Sequence, residues 1–285
     1  MNRQKSFDVK QPTLYLVATP IGNLEEMTVR AVNILKEVDC VAAEDTRNTL
    51  KLLNHFDIKT KLISHHEHNW KNSIPGILEM LGNGQSLALV SDAGYPAISD
   101  PGTELVQAVI EAGYAVVPVS GPNACLNALV VSGIEPQPFT FYGFLDHLDK
   151  NKKKELENLK THPYTLVFYE SPYRVQKTLK IMLEIFGNRK VALCREITKR
   201  HEEIIRGTIS EILEIEEELK GEMVLVVEGC KDIIEESNEP IDIVAEVQKL
   251  IDEGAHSKDA IKQVAKANNM KKNEVYDLYL ESKER

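Results

Sequence analysis

Leu14-Tyr-Leu-Val-Ala-Thr-Pro-Ile-Gly-Asn-Leu24 decides the fold class. An apolar run of Leu, Tyr and Val predicts a buried strand, and Thr19-Pro20-Ile21-Gly22 stops it within four residues. In open α/β sheets the carboxyl end of such a strand is where a ligand sits. Glycine there lets a ligand approach the backbone, and proline fixes the direction of the turn. Connection geometry alone produces the same pattern, so the stretch needs support from elsewhere in the chain.

Two further strand-turn units supply it. Leu87 to Gly102 is a strand followed by a long turn of small and polar residues, and Ala115 to Ala124 is a strand that ends in Ser120-Gly121-Pro122 and opens a helix. Three such turns line one crevice if their strands lie parallel in one sheet. Neither Gly-x-Gly-x-x-Gly nor a P-loop occurs, which argues against an ordinary Rossmann-bound dinucleotide or a P-loop triphosphate.

Between and around these units the chain alternates. Helical spacing runs from Glu25 to Glu37, with Val29, Val32, Leu35 and Lys36 bounding the stripe. Short strands are expected at 39–45 and Lys61–Ser64, and helices over Thr46–Phe56 and Ser73–Gly82. Alternation of this kind implies βαβ units and a mainly parallel sheet. Glu135-Pro-Gln-Pro138 marks a break, after which strands are expected at 139–145, 166–170, 190–195 and 222–228. The expected organisation is an N-terminal α/β domain (1–122), a second α/β domain (123–232), a polar linker (233–240) and a helical domain (241–285). In the last, helices over 241–253, 257–268 and 272–280 have the spacing of a helix-turn-helix, and Lys258, Lys262, Lys266, Lys271 and Lys272 are placed to face a phosphate backbone. Lys150, Lys152, Lys153 and Lys154 read as a solvated helix start.

The chain has 285 residues, 42% hydrophobic and 27% charged, which suits a soluble globular protein with room for two cores. No apolar stretch approaches the ~18 residues that span a bilayer, and the first residues lack the apolar core of a secretory signal. Four widely spaced cysteines, Cys40, Cys125, Cys194 and Cys230, contain no Cys-x-x-Cys pair and read as free thiols. A cytoplasmic protein is expected. The net charge of −10 disfavours diffuse attraction to nucleic acid, so any RNA contact must be local.

In order along the chain stand Val17-Ala-Thr-Pro-Ile-Gly-Asn-Leu24, Ala43-Glu-Asp-Thr-Arg47, Ser64-His-His-Glu-His-Asn69, Val90-Ser-Asp-Ala-Gly94, Ile98-Ser-Asp-Pro-Gly102, Ser120-Gly-Pro-Asn123, Tyr169-Glu-Ser-Pro172 and Arg195-Glu-Ile-Thr-Lys199. This set resembles the tetrapyrrole-methylase-like class of S-adenosylmethionine-dependent methyltransferases and, within it, the ribosomal RNA branch. The resemblance runs from about residue 13 to 230, and the helical tail fits it. It implies two α/β domains with the cofactor in the cleft between them, a homodimer, and methyl transfer to the ribose 2′-hydroxyl of a cytidine in the decoding region of small-subunit (16S) ribosomal RNA, free or in the assembled subunit. Tyr95 departs from the branch, where Thr commonly follows Asp-Ala-Gly, and alters one wall of the cleft.

The turns carrying Pro20, Gly22, Asp92, Gly94, Ile98, Ser99, Ser120, Gly121 and Pro122 suit S-adenosylmethionine, because they offer backbone donors and acceptors with little bulk. The resemblance adds Tyr142, Tyr169 and Glu222, with strand packing as the plain alternative for Tyr142 and Phe144 and turn capping for Asp92. Transfer to a hydroxyl is an in-line displacement that needs positioning and either a base or a neighbouring cation. Lys199, Glu196 and Asp45 are the leading catalytic candidates, with Glu44, His65 and His66 behind them. Asn23, Arg47, His65, His66 and Arg195 are the expected substrate contacts, surface ion pairing being the alternative for the arginines. The adjacent histidines fit poorly with a metal site, and none is expected. Two rivals remain open: a small tetrapyrrole substrate, and a non-catalytic RNA-binding protein working through its tail.

Overall fold

The computed structural model describes residues 3–6, 11–215, 219–231, 243–268 and 270–283. The chain divides into two compact units, residues 1–230 and 231–285. The expected linker at 233–240 lies outside the described residues.

The first unit holds two five-stranded sheets. The first is built from β1 (Thr13–Val17), α1 (Val29–Glu37), β2 (Cys40–Ala43), α2 (Thr46–His55), β3 (Lys61–Ser64), α3 (Trp70–Gly82), β4 (Leu87–Val90), α4 (Thr103–Glu111) and β5 (Ala115–Val119). Its order is β3-β2-β4-β1-β5, every pairing parallel. β2 and β4 are buried at every position, as expected of parallel strands covered by helices on both faces. One face packs Val17, Val41, Ala88 and Val119 against Ala31 and Leu35 of α1; the other packs Leu14, Leu87 and Leu89 against Ile77, Leu105 and Val109.

The helix expected from Glu25 starts later. Leu24–Glu26 is a single 3-10 turn capped by Asn23, and α1 opens at Val29 because Thr28 caps it, its hydroxyl accepting from the Ala31 N–H. Val29, expected on the apolar stripe, is 77% exposed; Ala31 and Leu35 are the buried pair.

The second sheet follows α5 (Ala124–Val131), with β6 (Phe139–Phe144), α6 (Asp149–Leu159), β7 (Thr165–Glu170), α7 (Val175–Phe186), β8 (Lys190–Arg195), β9 (Glu203–Thr208), α8 (Ile209–Leu213) and β10 (Met223–Val227). Its order is β6-β7-β10-β8-β9; only β6 and β7 pair in parallel. β9, a hairpin partner of β8, has no counterpart in the sequence reading. Its alternation is diluted by Glu203, Arg206 and Gly207. Helices α6, α7 and α8 cover one face of this sheet, and α5 covers part of the other through Cys125, Ala128 and Leu129.

Lys152 departs from the solvated run predicted for 150–154. It shares the inner face of α6 with Leu156 and is 1% exposed, while Lys150, Lys153 and Lys154 are exposed. Its ammonium donates to Thr178 Oγ1 at 2.8 Å and stands 3.8 Å from Glu170 Oε2. Glu170 also accepts from the Ser171 N–H and the Thr178 hydroxyl, with Arg174 Nε 3.2 Å away. A lysine enters this core because a carboxylate is already there to pair with it.

The second unit contains α9 (Ile243–Asp252), α10 (Ser257–Ala267) and α11 (Lys272–Lys283). Val247, Ala260, Ile261, Val264, Ala265, Val275 and Tyr279 form its core. Lys258, Lys262 and Lys266 recur every four residues on the exposed face of α10. No helix among the described residues is long and apolar enough to cross a membrane.

Candidate active site

β1 lies between β4 and β5 although the chain leaves it for β2 on the far side of β4, so the loops after β1 and β4 diverge at a topological switch point. These loops are tied across the opening by an antiparallel bridge, Thr19 N–H to Gly94 O at 2.9 Å and Gly94 N–H to Thr19 O at 3.0 Å. Of the bridged pair, Gly94 lines one cavity and Thr19 a second.

The larger cavity, about 620 Å³, lies between the two sheets. Its first-sheet side carries Ile21, Gly94, Tyr95, Ile98, Ser99 and Asp100, with Asn123 and Ala124 at the start of α5. The second-sheet side carries Phe144, Tyr169 to Tyr173, Glu196, Ile197 and Gly221 to Val224. Of the residues expected at a cofactor, Gly94, Ile98, Ser99, Tyr169 and Glu222 line it, joined by the catalytic candidate Glu196. The smaller cavity, about 250 Å³, takes Pro20, Gly22 and Asp92 together with Asn48, Lys51 and His55 of α2. The expected cofactor turns are therefore divided between two spaces.

Ser120, Gly121 and Pro122, expected at the cofactor, line neither cavity, and the Gly121 N–H donates to the Tyr95 hydroxyl at 3.2 Å. The departure at Tyr95 thus fastens the β4 loop to the β5 turn. Tyr142 is a correction. A bulge between Phe141 and Gly143 turns its ring onto Phe168, in the core under α6 and α7, with its hydroxyl toward Glu155. Strand packing, the plain alternative, describes it; Phe144 instead reaches the cavity and packs on Tyr169.

Lys199 fastens the two sheets' loops together. Its stem lies over Gly22, so close that a Cβ at position 22 would fall 2.3 Å from Lys199 Cγ; Gly22 also has φ +146°, a region barred to other residues. Its ammonium sits 2.9 Å from both Glu196 Oε1 and Glu222 Oε2. Glu196 Oε1 also accepts the Glu222 N–H at 3.0 Å. Glu196 and Thr198 have φ of +49° and +69°, so the turn that presents these groups is conformationally strained. Burial works against the Lys199 ammonium, but its bonds to Glu196 and Glu222 outweigh that and hold its pKa above the ordinary lysine value. Burial likewise raises Glu196, and its bonds to Lys199 and the Glu222 N–H bring it below the usual carboxylate value. Lys199 is a held cation, the opposite of a base.

The remaining candidates are spread elsewhere. Asp45 caps α2, accepting from the Arg47 N–H, and binds the Arg47 guanidinium through both oxygens at 3.0 and 2.7 Å. Those side-chain bonds, then the backbone bond, bring its pKa down to about 2. Arg195 is paired with Glu203 and reaches the Lys220 carbonyl. Asn23 accepts from the Glu25 N–H. His66 Nδ1 accepts from the His68 N–H at 3.2 Å, and its own N–H donates to Asn69. His65 is a correction: it is 1% exposed, with Nδ1 2.8 Å from Ser73 Oγ, and burial lowers its pKa. At that burial the ring presents no exposed face to a substrate. Among the described residues no three His, Cys, Asp or Glu side chains converge as metal ligands.

Sequence reasoning quoted the motif around Asp100 without giving that residue a role. It lines the large cavity, and burial raises its pKa despite a hydrogen bond from Ser91. The available signal was a carboxylate set between Ser99 and Pro101-Gly102 immediately before a helix.

Residues 13–213 match the model of the Tetrapyrrole (Corrin/Porphyrin) Methylases. The chain is 51% identical over 287 residues to ribosomal RNA small subunit methyltransferase I of Bacillus subtilis (strain 168), covering 98% of each. It is 41% identical over 286 residues to the protein of the same name from Escherichia coli O157:H7, covering 99% of each. Among solved structures, uroporphyrin-III-C-methyltransferase from Thermus thermophilus superposes with a TM-score of 0.55 at 20% identity, covering 76% of this chain and 94% of that one. A cobalt precorrin-4 methyltransferase gives 0.56 at 18%, with 75% and 94% covered. The structural likeness shows the fold, two α/β layers around a cleft, and the sequence match is continuous through both. The chain belongs to the tetrapyrrole (corrin/porphyrin) methylase family, among the relatives named ribosomal RNA small subunit methyltransferase I.

Proposed function

We propose that this methyltransferase uses S-adenosylmethionine to methylate the ribose 2′-hydroxyl of a cytidine in the decoding region of small-subunit (16S) ribosomal RNA. The observation that carries the reading is the large cavity and its lining. A space of about 620 Å³ is of the size that encloses a drug-sized ligand. It is bordered by the carboxylates Asp100, Glu170, Glu196 and Glu222 and, among the described lining residues, by no lysine or arginine. Glu170 is paired with Lys152 and Arg174, and Glu196 and Glu222 with Lys199, so Asp100 is the lining carboxylate with no ion pair among the described residues and the one that suits a ligand's ammonium or sulfonium. Ile98, Phe144, Tyr169, Ile197, Met223 and Val224 supply apolar walls for a flat heterocycle. When bound, the cofactor supplies an electrophilic methyl group.

The chain's own residues do the rest. Gly94, Ile98, Ser99 and the Gly221-Glu222-Met223 turn hold the ligand. The apolar walls exclude water from the reacting atoms. Burial pushes the Tyr169 hydroxyl up to about 12, which keeps it a proton donor at neutral pH. Lys199, fixed between Glu196 and Glu222, places a positive charge at the cavity edge where a hydroxyl oxygen gains negative charge during attack. The exposed lysines of α10 serve as phosphate contacts. The reading includes a homodimer acting in the cytoplasm on rRNA or the small subunit. Its substrate identity is supported by the names of the relatives.

The test is transfer of labelled methyl to small subunits and to naked rRNA from a strain lacking this gene, with the site mapped by nuclease digestion and mass spectrometry. Label on one ribose is the expected result. Tight cofactor binding with no labelled RNA would reject the substrate and favour a small molecule.

A further inference from the structure

We infer that the smaller cavity is a subsite for the substrate RNA, where Lys51 and His55 of α2 take a phosphodiester next to the methylated ribose; this rests on the rRNA methyltransferase reading. The cavity, about 250 Å³, lies between the loops that follow β1 and β4 and helix α2. Asn48, Lys51, Leu52 and His55 stand at i, i+3, i+4 and i+7, so α2 turns one face to it. That volume is below the several hundred Å³ that enclose a whole small ligand. It suits one part of a polymer better than a free nucleotide.

Charge separates the two cavities. The described lining of the large one contains no lysine or arginine. At the small one Lys51 is exposed and forms no ion pair among the described residues; its ammonium stands 3.4 Å from Asn48 Oδ1. One carboxylate, Asp92, belongs to that lining, and the Asn48 amide donates to it at 3.0 Å. Asn48 thus links cation and carboxylate, and the ammonium keeps two further protons for an incoming anion. Lysine binds phosphate as a point charge, and a ring N–H of His55 adds a directional donor. Pro20, Leu24 and Leu52 add apolar surface for the sugar.

The position fits the role. Thr19 lines the small cavity and its bridge partner Gly94 the large one. Antiparallel partners stand about 5 Å apart, so RNA whose ribose enters the large cavity carries a neighbouring phosphate across this bridge. Lys199 spans the same border: its stem lies over Gly22 of the small cavity and its ammonium binds Glu196 and Glu222 of the large one.

The experiment compares full-length wild type, Lys51→Gln, Lys51→Arg and Lys59→Gln. It measures affinity for small subunits and naked rRNA over a range of salt, single-turnover transfer against RNA concentration, and cofactor affinity by calorimetry. Lys59 is the control, exposed, paired with Asp57 and absent from the cavity lining. Lys51→Gln should weaken RNA binding about fivefold at about 0.15 M salt and flatten the log–log salt dependence by about 0.7–0.9, the share of one phosphate contact. Its transfer at low RNA should fall by the same factor and recover as RNA is raised, while cofactor affinity stays within about twofold of wild type. Lys51→Arg should restore the slope, and Lys59→Gln should match wild type. An unchanged slope in Lys51→Gln, an equal change in Lys59→Gln, or a parallel loss of cofactor affinity overturns the subsite. A wild type that binds cofactor and labels no RNA would instead reject the substrate reading, and the subsite with it.

Discussion

Replacing Lys152 by methionine keeps most of the volume and removes the charge. At 3.8 Å from Glu170 Oε2, the ammonium attracts the carboxylate by roughly 4 kcal/mol at an effective dielectric near 20. The bond to Thr178 Oγ1 adds about 1–2 kcal/mol. Against these stands the several kcal/mol recovered by no longer dehydrating an ammonium. Losing one partner of a buried pair costs about 3–5 kcal/mol, and Arg174 still stands beside Glu170, so the low end, about 3 kcal/mol, applies. In a body of this size that lowers Tm by about 6–12 °C, measurable by calorimetry. Lys153→Met is the control: its contact with Glu184 is exposed and contributes under about 1 kcal/mol. Adding Glu170→Gln to Lys152→Met should restore part of the loss, because the buried carboxylate short of its cation is gone, and only part, because Arg174 Nε then loses its own partner. Burial, despite the pull of Glu170, holds Lys152 below the ordinary lysine value of 10.5. The unfolded chain therefore binds more protons in that window, and stability gains with pH toward 10.5 in the wild type but not in the variant. A Lys152→Met protein melting within about 1 °C of wild type would refute the reasoning.

Lys199→Ala should slow transfer by about 100-fold with cofactor affinity nearly unchanged, and wild-type turnover would remove Lys199 from the mechanism. Asp45 should titrate near 2 by carboxyl NMR, and Arg47→Gln should return it toward its ordinary 3.8. Its folded-state pKa is depressed, so the contribution is full above 3.8 and is lost as pH falls through about 2; an unshifted titration would show the pair to be open in solution. Ile261→Ala, in the core of the helical unit, should cost about 2–4 kcal/mol. Amide exchange should then rise across 243–283 and not in the strands of the first unit; equal loosening of both would contradict their division into separate units.

The strands β1, β4 and β5 and the three tail helices were legible because their signals are local: apolar runs ended by Pro or Gly, and four-residue spacing broken at Gly254 and Asn268. Alternation predicted a mainly parallel first sheet, and every pairing in it is parallel. The division of Pro20, Gly22 and Asp92 from Gly94, Ile98 and Ser99 was not legible, since it depends on the Thr19–Gly94 bridge between strands distant in sequence. Lys152 was misjudged because its fate depends on Glu170 and Thr178, residues of other elements. A one-residue bulge reversed Tyr142, as any shift of strand register must. The α1 start was readable in principle from Thr28, whose capping outweighed the helical spacing of Glu25 and Glu26.

Because the Lys199 stem fills the space where a side chain at position 22 would stand, the two positions cannot drift independently during evolution. A residue larger than glycine at 22 is blocked while the long stem remains. Shortening 199 first vacates the space but leaves Glu196 and Glu222 facing each other without the cation between them. Either single step is a loss, and because φ +146° strains any side chain at position 22 whatever the space, shortening 199 relieves only the steric part of the penalty. In a pairwise substitution library the penalty at position 22 should shrink when 199 is shortened but not vanish, so the glycine should outlast the lysine although the two loops belong to different sheets.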